Sequence, residues 1–315
     1  MDRSAEFVPT LYVPSRWREL PRTVYYRWGL MATLHAVGVE GTVSLARWGG
    51  NFVWEHSPVL RDSILKTMGQ AFGETHDDEQ VRALAKTYMR DMWLHLVETE
   101  FVHRRMNAGT WSRYVRCVGL EPLIETVGRG GGVVGAAAYL GNHQVGMTAL
   151  GLMLSGRVAG IVSPCQYSTQ YRWMAGLVRR RLARLHPIGD AVGPALGALR
   201  EGRLVLLISE HLSSGKSGMA VEFLGRTRRF HPTGAMLSWR TRCPMAVITC
   251  RRLDEPFHFE LRLHDWIVPP LSGDRREWIH TTTRRVLATL DAAIRSDFAQ
   301  YPWTHEHLIA GRARQ

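Results

Sequence analysis

Residues 121–156 read "EPLIETVGRGGGVVGAAAYLGNHQVGMTALGLMLSG". A helical pattern runs into glycines, a short apolar run follows, and a second helical pattern opens after a Gly-Asn turn. Helix, buried strand, turn and helix in that order form the repeating unit of a sheet covered by helices. The turn also carries polar chemistry. Tyr139, His143 and Gln144 sit where a strand end meets a helix start, with Gly141 and Asn142 between them. Backbone amides near Asn142–Gln144 would face an anion or oxyanion there. The plainer alternative is a left-handed turn that uses Gly141 and Asn142 for backbone shape alone.

The same alternation continues downstream. "VAGIVSP" reads as a strand, "TQYRWMAGLVRRRLARL" as a helix through Leu185, and "VGPALGALREG" as a helix stopped by glycine. "RLVLLISE" reads as a buried strand, "HPTGAMLSWRTR" as a helix, and "PMAVITCRRL" with "HFELRLHDWI" as a pair of strands. "REWIHTTTRRVLATLDAAIRSD" closes the chain as a helix. Upstream the texture is helical. "LRDSILKTMGQAF" and "DDEQVRALAKTYMRDMWLHLVETEFVH" carry apolar residues at steps of three and four, with Thr75 and Asp77–Glu79 as cap and acidic first turn of the second. The fold class is therefore α/β: a mixed central sheet covered by helices, preceded by a helical section. Residues 1–21 form an irregular start marked by Pro9, Pro14 and Pro21; 22–110 are helical, and 111–315 form the α/β core with its closing helix.

An apolar content of 45% supports a real core, whereas a formal charge of +12 is high and asks for an anionic partner. The positive residues are nearly all Arg, with Lys only at Lys66, Lys86 and Lys216. No acidic residue falls between Glu125 and Asp190, a window that contains the run Arg179–Arg184. That run reads as a solvated helix face or as a rim for an anionic donor. No nucleic-acid motif accompanies it, so no nucleic-acid partner is expected. Four cysteines at no metal-ligand spacing, and no signal peptide, point to a reducing cytoplasm and no bound metal or cofactor. The most apolar stretch, "WGLMATLHAVGVEGTVSLARW", is interrupted by His35 and Glu40 and falls short of the ~20 apolar residues that span a bilayer. It suits a helix lying on the inner face of a membrane or buried in the protein.

Two further segments bear on chemistry. "LLISEHLSSGKSG" ends a strand with Glu210 and His211, the usual place for site residues in α/β folds. Its Lys216 lacks the phosphate-loop spacing, because Glu210 stands where that motif needs glycine. Cys165 and His186 make a poor nucleophile and base, and Cys165 reads as structural.

Three blocks, in order, resemble the lipid A biosynthesis acyltransferases, the Kdo-dependent lauroyl and myristoyl transferases of the lysophospholipid-acyltransferase-like superfamily. They are "GLEPLIETVGRGGGVVGAAAYLGNHQVG", "VLLISEHLSSGKSGMAVEFLGRTRRFHPTGAMLSWRTRCPMAVITCRR" and "DFAQYPWTHEH". The resemblance runs from about Tyr25 to His307. It implies a glycerolipid-acyltransferase-like fold and acyl transfer from a coenzyme A or acyl-carrier-protein thioester. It also implies a His-x-x-x-x-Asp/Glu turn in which the imidazole is general base and the acid orients it. In this chain those positions are Tyr139 and Gln144, and the basic residue expected before the next proline is Ser163. Glu210 keeps the acid of the later block.

A free phenol titrates near 10 against about 6.5 for imidazole, so Tyr139 is a poor proton acceptor at neutral pH. Losing a general base costs ~10²–10⁴ in rate, or roughly 3–5 kcal/mol of barrier. His143 or His211 could take over the base role, or the acceptor could be an amine or thiolate that needs little help. The expected catalytic set is His143, Glu210, His211, Tyr139 and Gln144. Asn142, Gly141, Ser163, Arg179, Arg180 and Arg226 are the expected substrate-binding residues. The enzyme reading is acyl transfer to a non-standard acceptor through a remodelled site. Its rivals are a non-catalytic binder of an acyl chain or partner, and an enzyme repurposed for cyclisation or condensation on a carrier-bound substrate.

Overall fold

A computed structural model describes residues 30–162, 168–213 and 218–304. Ser163, Cys165 and Lys216 lie outside the described residues.

The helical section comprises α1 (Leu30–His56), α2 (Pro58–Phe72), α3 (Asp78–Asp91) and α4 (Leu94–Arg105). Pro58 opens α2, where its missing N–H costs nothing. Asp77 caps α3 through a reciprocal box: its carboxylate accepts from Gln80 N at 2.8 Å, and Gln80 Oε1 accepts from Asp77 N at 2.9 Å. Thr75 instead turns its hydroxyl back to Phe72 O at the end of α2.

The long helix expected from Asp77 to His103 is two helices, broken at Met92–Trp93. Packing explains the break. Val81, Ala85, Tyr88 and Met89 of α3 bury into the core on one side of the sheet; Leu94, Phe101 and Val102 of α4 bury into the other. A straight helix would reach only one of them. Helix α1 is interrupted as well, at Gly38, whose φ is 74°. No helix of the described residues is long and apolar enough to cross a membrane.

The core contains β1 (Val115–Val118), α5 (Glu121–Gly128), β2 (Val133–Gly141), α6 (His143–Met153), β3 (Val158–Val162), α7 (Ser168–Arg179), β4 (Arg184–Pro187), α8 (Val192–Arg200) and β5 (Leu204–Ile208). Then come β6 (Met219–Phe223), β7 (Arg226–Phe230), α9 (Thr233–Thr241), β8 (Met245–Arg252), β9 (Phe259–Ile267) and α10 (Arg275–Ser296). Seven strands make one mixed sheet in the order β1-β9-β8-β2-β5-β3-β4. The pairs β8–β2, β2–β5, β5–β3 and β3–β4 are parallel, as helical crossovers require, and the short connection between β8 and β9 makes that pair antiparallel. Neighbouring residues of a strand face opposite sides. Val134 of β2 therefore joins Leu287 and Leu290 of α10 in one core, and Val133 joins Val145 and Leu150 of α6 in the other. Burial on both faces accounts for the unbroken apolar runs of the central strands.

Three expectations need correction. The helix read through Leu185 stops at Arg179, Arg181 takes a left-handed φ of 54°, and Arg184–Pro187 forms the edge strand β4. Leu182 and Leu185 are both buried at a three-residue spacing, the local pattern of a helix, so nothing in it announced the strand. Strand β1, paired with β9, was not anticipated. Nor was the hairpin β6–β7, a separate two-stranded sheet. Its turn is Leu224–Gly225, with φ of 50° and 70°, the geometry of a tight hairpin turn built around a leucine. Leu224 pays for that backbone by burial against the core and an amide bond to Asp291 Oδ2 of α10. A Cβ on Gly225 would stand 2.2 Å from Gln70 O of α2.

Candidate active site

A cavity of about 590 Å³ opens at the carboxyl ends of β2, β3, β5 and β8. The α3–α4 junction, residues 299–302 and Thr304 complete its wall. Met147, Leu150, Ile161, Trp173, Met174 and Leu206 line an apolar part, while Tyr139, His143, Gln144, His211 and His95 bring polar groups to the same space. An apolar cavity with a few converging polar groups is the usual form of a small-molecule site.

The turn is set by backbone. Gly141 has a φ of 65°, and a Cβ there would lie 2.1 Å from Cys250 O. Asn142 N donates to that same carbonyl at 2.8 Å, pressing the turn onto β8. Asn142 caps α6, its Oδ1 accepting from Val145 N at 3.1 Å. Its Nδ2 donates to Glu98 Oε2 at 3.1 Å and to His95 O at 3.3 Å. Glu98 in turn is doubly bonded to Arg252, with Arg252 Nη2 at 2.9 Å from Oε2. Gln300 clamps the backbone of Arg252 from the other side, at 2.6 Å and 3.0 Å. The left-handed turn read from the sequence is thus present, with Asn142 doing structural work besides.

Gln144 belongs to the same scaffold. It is buried, its Oε1 accepts from the Thr99 hydroxyl, and its carbonyl accepts from Thr148 Oγ1 at 2.8 Å. Trp173 Nε1 donates to Thr148 at 3.0 Å, locking the apolar wall to the turn.

On the β5 side Glu210 is fully buried beneath the strand end. Its Oε1 accepts from Tyr139 N at 2.7 Å and its Oε2 from the Tyr301 hydroxyl. Burial pushes its carboxyl up to about 7, against the two hydrogen bonds that favour the charged form. Tyr139 is raised above the ordinary phenol range by burial and then by the charge of Glu210; Tyr301 is raised for the same two reasons. Both phenols stay protonated. The Tyr139 hydroxyl lies 3.2 Å from His211 Nε2. His143 packs edge-on to Tyr139 with ring centres 5.0 Å apart, and its ring neighbours include His95 at 5.4 Å.

Of the residues anticipated from sequence, Tyr139, Gly141, His143, Gln144 and His211 line the cavity, and Glu210 and Asn142 support it from behind. Ser163 lies outside the described residues. Arg179, Arg180 and Arg226 are not in the cavity wall. Arg179 ends α7 and is exposed; Arg180 donates to Met106 O at 2.7 Å and contacts His103 Nδ1; Arg226 begins β7. The arginine run is therefore divided among a helix end, a turn and an edge strand, where Arg184 pairs with Glu201. Another part of the positive charge converges on buried Glu260. Burial works to raise that carboxyl, but hydrogen bonds from Arg262, Arg251 and Arg116 outweigh it and hold it at about 2.

Tyr301, Thr99, His95 and the Glu98–Arg252 pair were not picked out from sequence. Glu98 and Thr99 gave no signal, as two of many polar residues in the helix "LHLVETEFVHRR"; Tyr301 lay unremarked in the closing "AQYPW" segment.

The family model of the bacterial lipid A biosynthesis acyltransferases matches residues 14–309. No curated protein matches the chain.

Proposed function

Because the chain belongs to the bacterial lipid A biosynthesis acyltransferase family, we propose that it moves an acyl group from a coenzyme A or carrier-protein thioester to a non-standard acceptor, using an imidazole as base. The observation that carries the reading is one cavity in which an apolar wall meets Tyr139, His143 and His211. The apolar wall suits the acyl chain. The N-terminus of α6, with His143 at the cavity wall, suits the oxyanion that forms as the acceptor attacks the thioester carbon. The acceptor's proton passes to an imidazole and returns to the departing thiolate as the C–S bond breaks.

Tyr139 is no base in its own right, since its phenol is held protonated. An amine acceptor, which carries the proton the step needs, lowers the demand on the imidazole and fits the departure from a carboxylate-assisted histidine. Exposed Leu45, Trp48, Phe52 and Val59 along α1 and α2 support a peripheral membrane contact as part of the same proposal.

The test is thiol release from dodecanoyl-CoA and from a dodecanoyl carrier protein, together with native mass spectrometry of the purified protein. Turnover that disappears in a His143→Ala/His211→Ala double variant supports the enzyme. The engagement of Gln144 by Thr99, away from any base, favours the rival reading of a non-catalytic acyl binder. Co-purified acyl thioester with no turnover would establish that rival.

A further inference from the structure

Resting on the acyl-transfer reading, the geometry points to Tyr139 and His211 as one proton-accepting unit, in which the phenol takes the acceptor's proton while handing its own to His211 Nε2. The two groups are 3.2 Å apart, within reach of a direct transfer, and both line the cavity. Their spacing is fixed by Glu210. It holds Tyr139 through the backbone amide at 2.7 Å, and His211 is its neighbour along the chain. Tyr301, itself fully buried, holds the far oxygen of Glu210. A strand end, a carboxylate and a closing segment thus converge on one phenol–imidazole contact. His143 packs edge-on against Tyr139 and forms the side wall of the phenol.

The paired arrangement removes the difficulty of a tyrosine in a base's position. A phenolate never forms, because the phenol is neutral before and after the transfer. The positive charge appears on His211, which lies at the half-buried mouth of the site. The step balances. The acceptor oxygen or nitrogen bonds to the thioester carbon and gives its proton to the Tyr139 oxygen, while the original Tyr139 proton moves to Nε2. When the C–S bond breaks, the thiolate sulfur takes a proton from Tyr139, which is restored from Nε2. Ester or amide and free thiol result, with both side chains as they began. Tyr139 is then a catalytic residue, contrary to the expectation from its acidity alone; Glu210 and Tyr301 are positioning residues.

The test combines kinetics with ¹⁵N-histidine NMR. Tyr139→Phe keeps the ring and removes only the hydroxyl. Dodecanoyl-CoA turnover should fall about 10²-fold in Tyr139→Phe and in His211→Gln alike, with the double variant no slower than the slower single one, because the pair acts as a unit. The Nε2 resonance of His211 should shift in substrate-free Tyr139→Phe. Turnover of Tyr139→Phe within threefold of wild type, or losses that multiply, would overturn the relay. An active wild type whose His211 resonance ignores Tyr139→Phe would overturn the pair and leave acyl transfer standing. An inert wild type whose His211 resonance still responds would overturn acyl transfer and leave the contact intact.

Discussion

The two flanks of Tyr139 carry similar residue types put to different use. On the α6 flank, Gln144, Asn142, Glu98 and Arg252 are buried, and each is engaged by another member of the chain's scaffold. On the β5 flank, His211 is only half-buried, faces the cavity, and touches the phenol. On the proposed reading, the first flank holds shape and the second handles the proton. In the family the resemblance implies, the acid of the turn serves the base from the α6 flank. Here Gln144 at the acid's position is bonded to Thr99, and the imidazole that touches the phenol comes from across the strand end. Residue type alone does not separate the two; exposure and partner do.

The largest expected effect falls on the structural flank. Glu98→Ala leaves Arg252 charged and buried, and should cost about 3–5 kcal/mol of stability in chemical denaturation. A loss below ~1 kcal/mol, as for a surface ion pair, would erase the contrast.

On the other flank the expected signature is pH dependence. The folded-state value of Glu210 is about 7, above its ordinary 4.5. Between those values the folded protein holds a proton that the unfolded chain has lost, so the contribution of Glu210 to stability falls as pH rises through that window. Above about 7 the penalty is complete. Glu210→Gln should remove it, gaining on wild type between pH 4.5 and 7 by a margin on the order of 3 kcal/mol. In the protonated wild type the proton sits on Oε2, since Oε1 must accept from Tyr139 N; Gln presents its amide nitrogen there, with Tyr301 turned to accept. Parallel stability curves for the two proteins would remove Glu210 from the titrating side of the comparison.

The smallest effect is again structural. Thr99→Val leaves the buried amide of Gln144 without its hydroxyl donor, and should cost about 1–3 kcal/mol. Thermal melting gives the stability, and thiol release should change by less than threefold. A tenfold loss of turnover at unchanged stability would return Gln144 to the catalytic machinery.

Much of the scaffold was legible from sequence because its signals are local. Glycine stops, apolar runs and the alternation of helix and strand marked β2, β3, β5, β8, β9 and the helices between them. The order of the three blocks brought Glu210 to the 139–144 turn, where its carboxylate meets Tyr139 N. The missed parts depend on contacts distant in sequence or on ambiguous local cues. Leu182 and Leu185 keep the three-residue spacing of a helix although the chain has turned into an edge strand, and the break at Met92–Trp93 follows from two cores that only the folded sheet defines. A hairpin turn at Leu224 defies the glycine and asparagine preference of such turns. Within the site, Gln144 finds Thr99 and Glu210 finds Tyr301 across long stretches of chain. Composition and spacing identified the residues at the turn, whereas the proposed division between scaffold and proton transfer rests on who touches whom.

The most direct measurement is a side-by-side rate of thiol release from dodecanoyl-CoA by wild type, His211→Ala and Gln144→Leu, each at matched folded fraction. The account predicts a loss of at least ~10²-fold for His211→Ala and less than about threefold for Gln144→Leu. Equal losses in the two variants, or a larger one in Gln144→Leu, would place the chemistry on the α6 flank and contradict it.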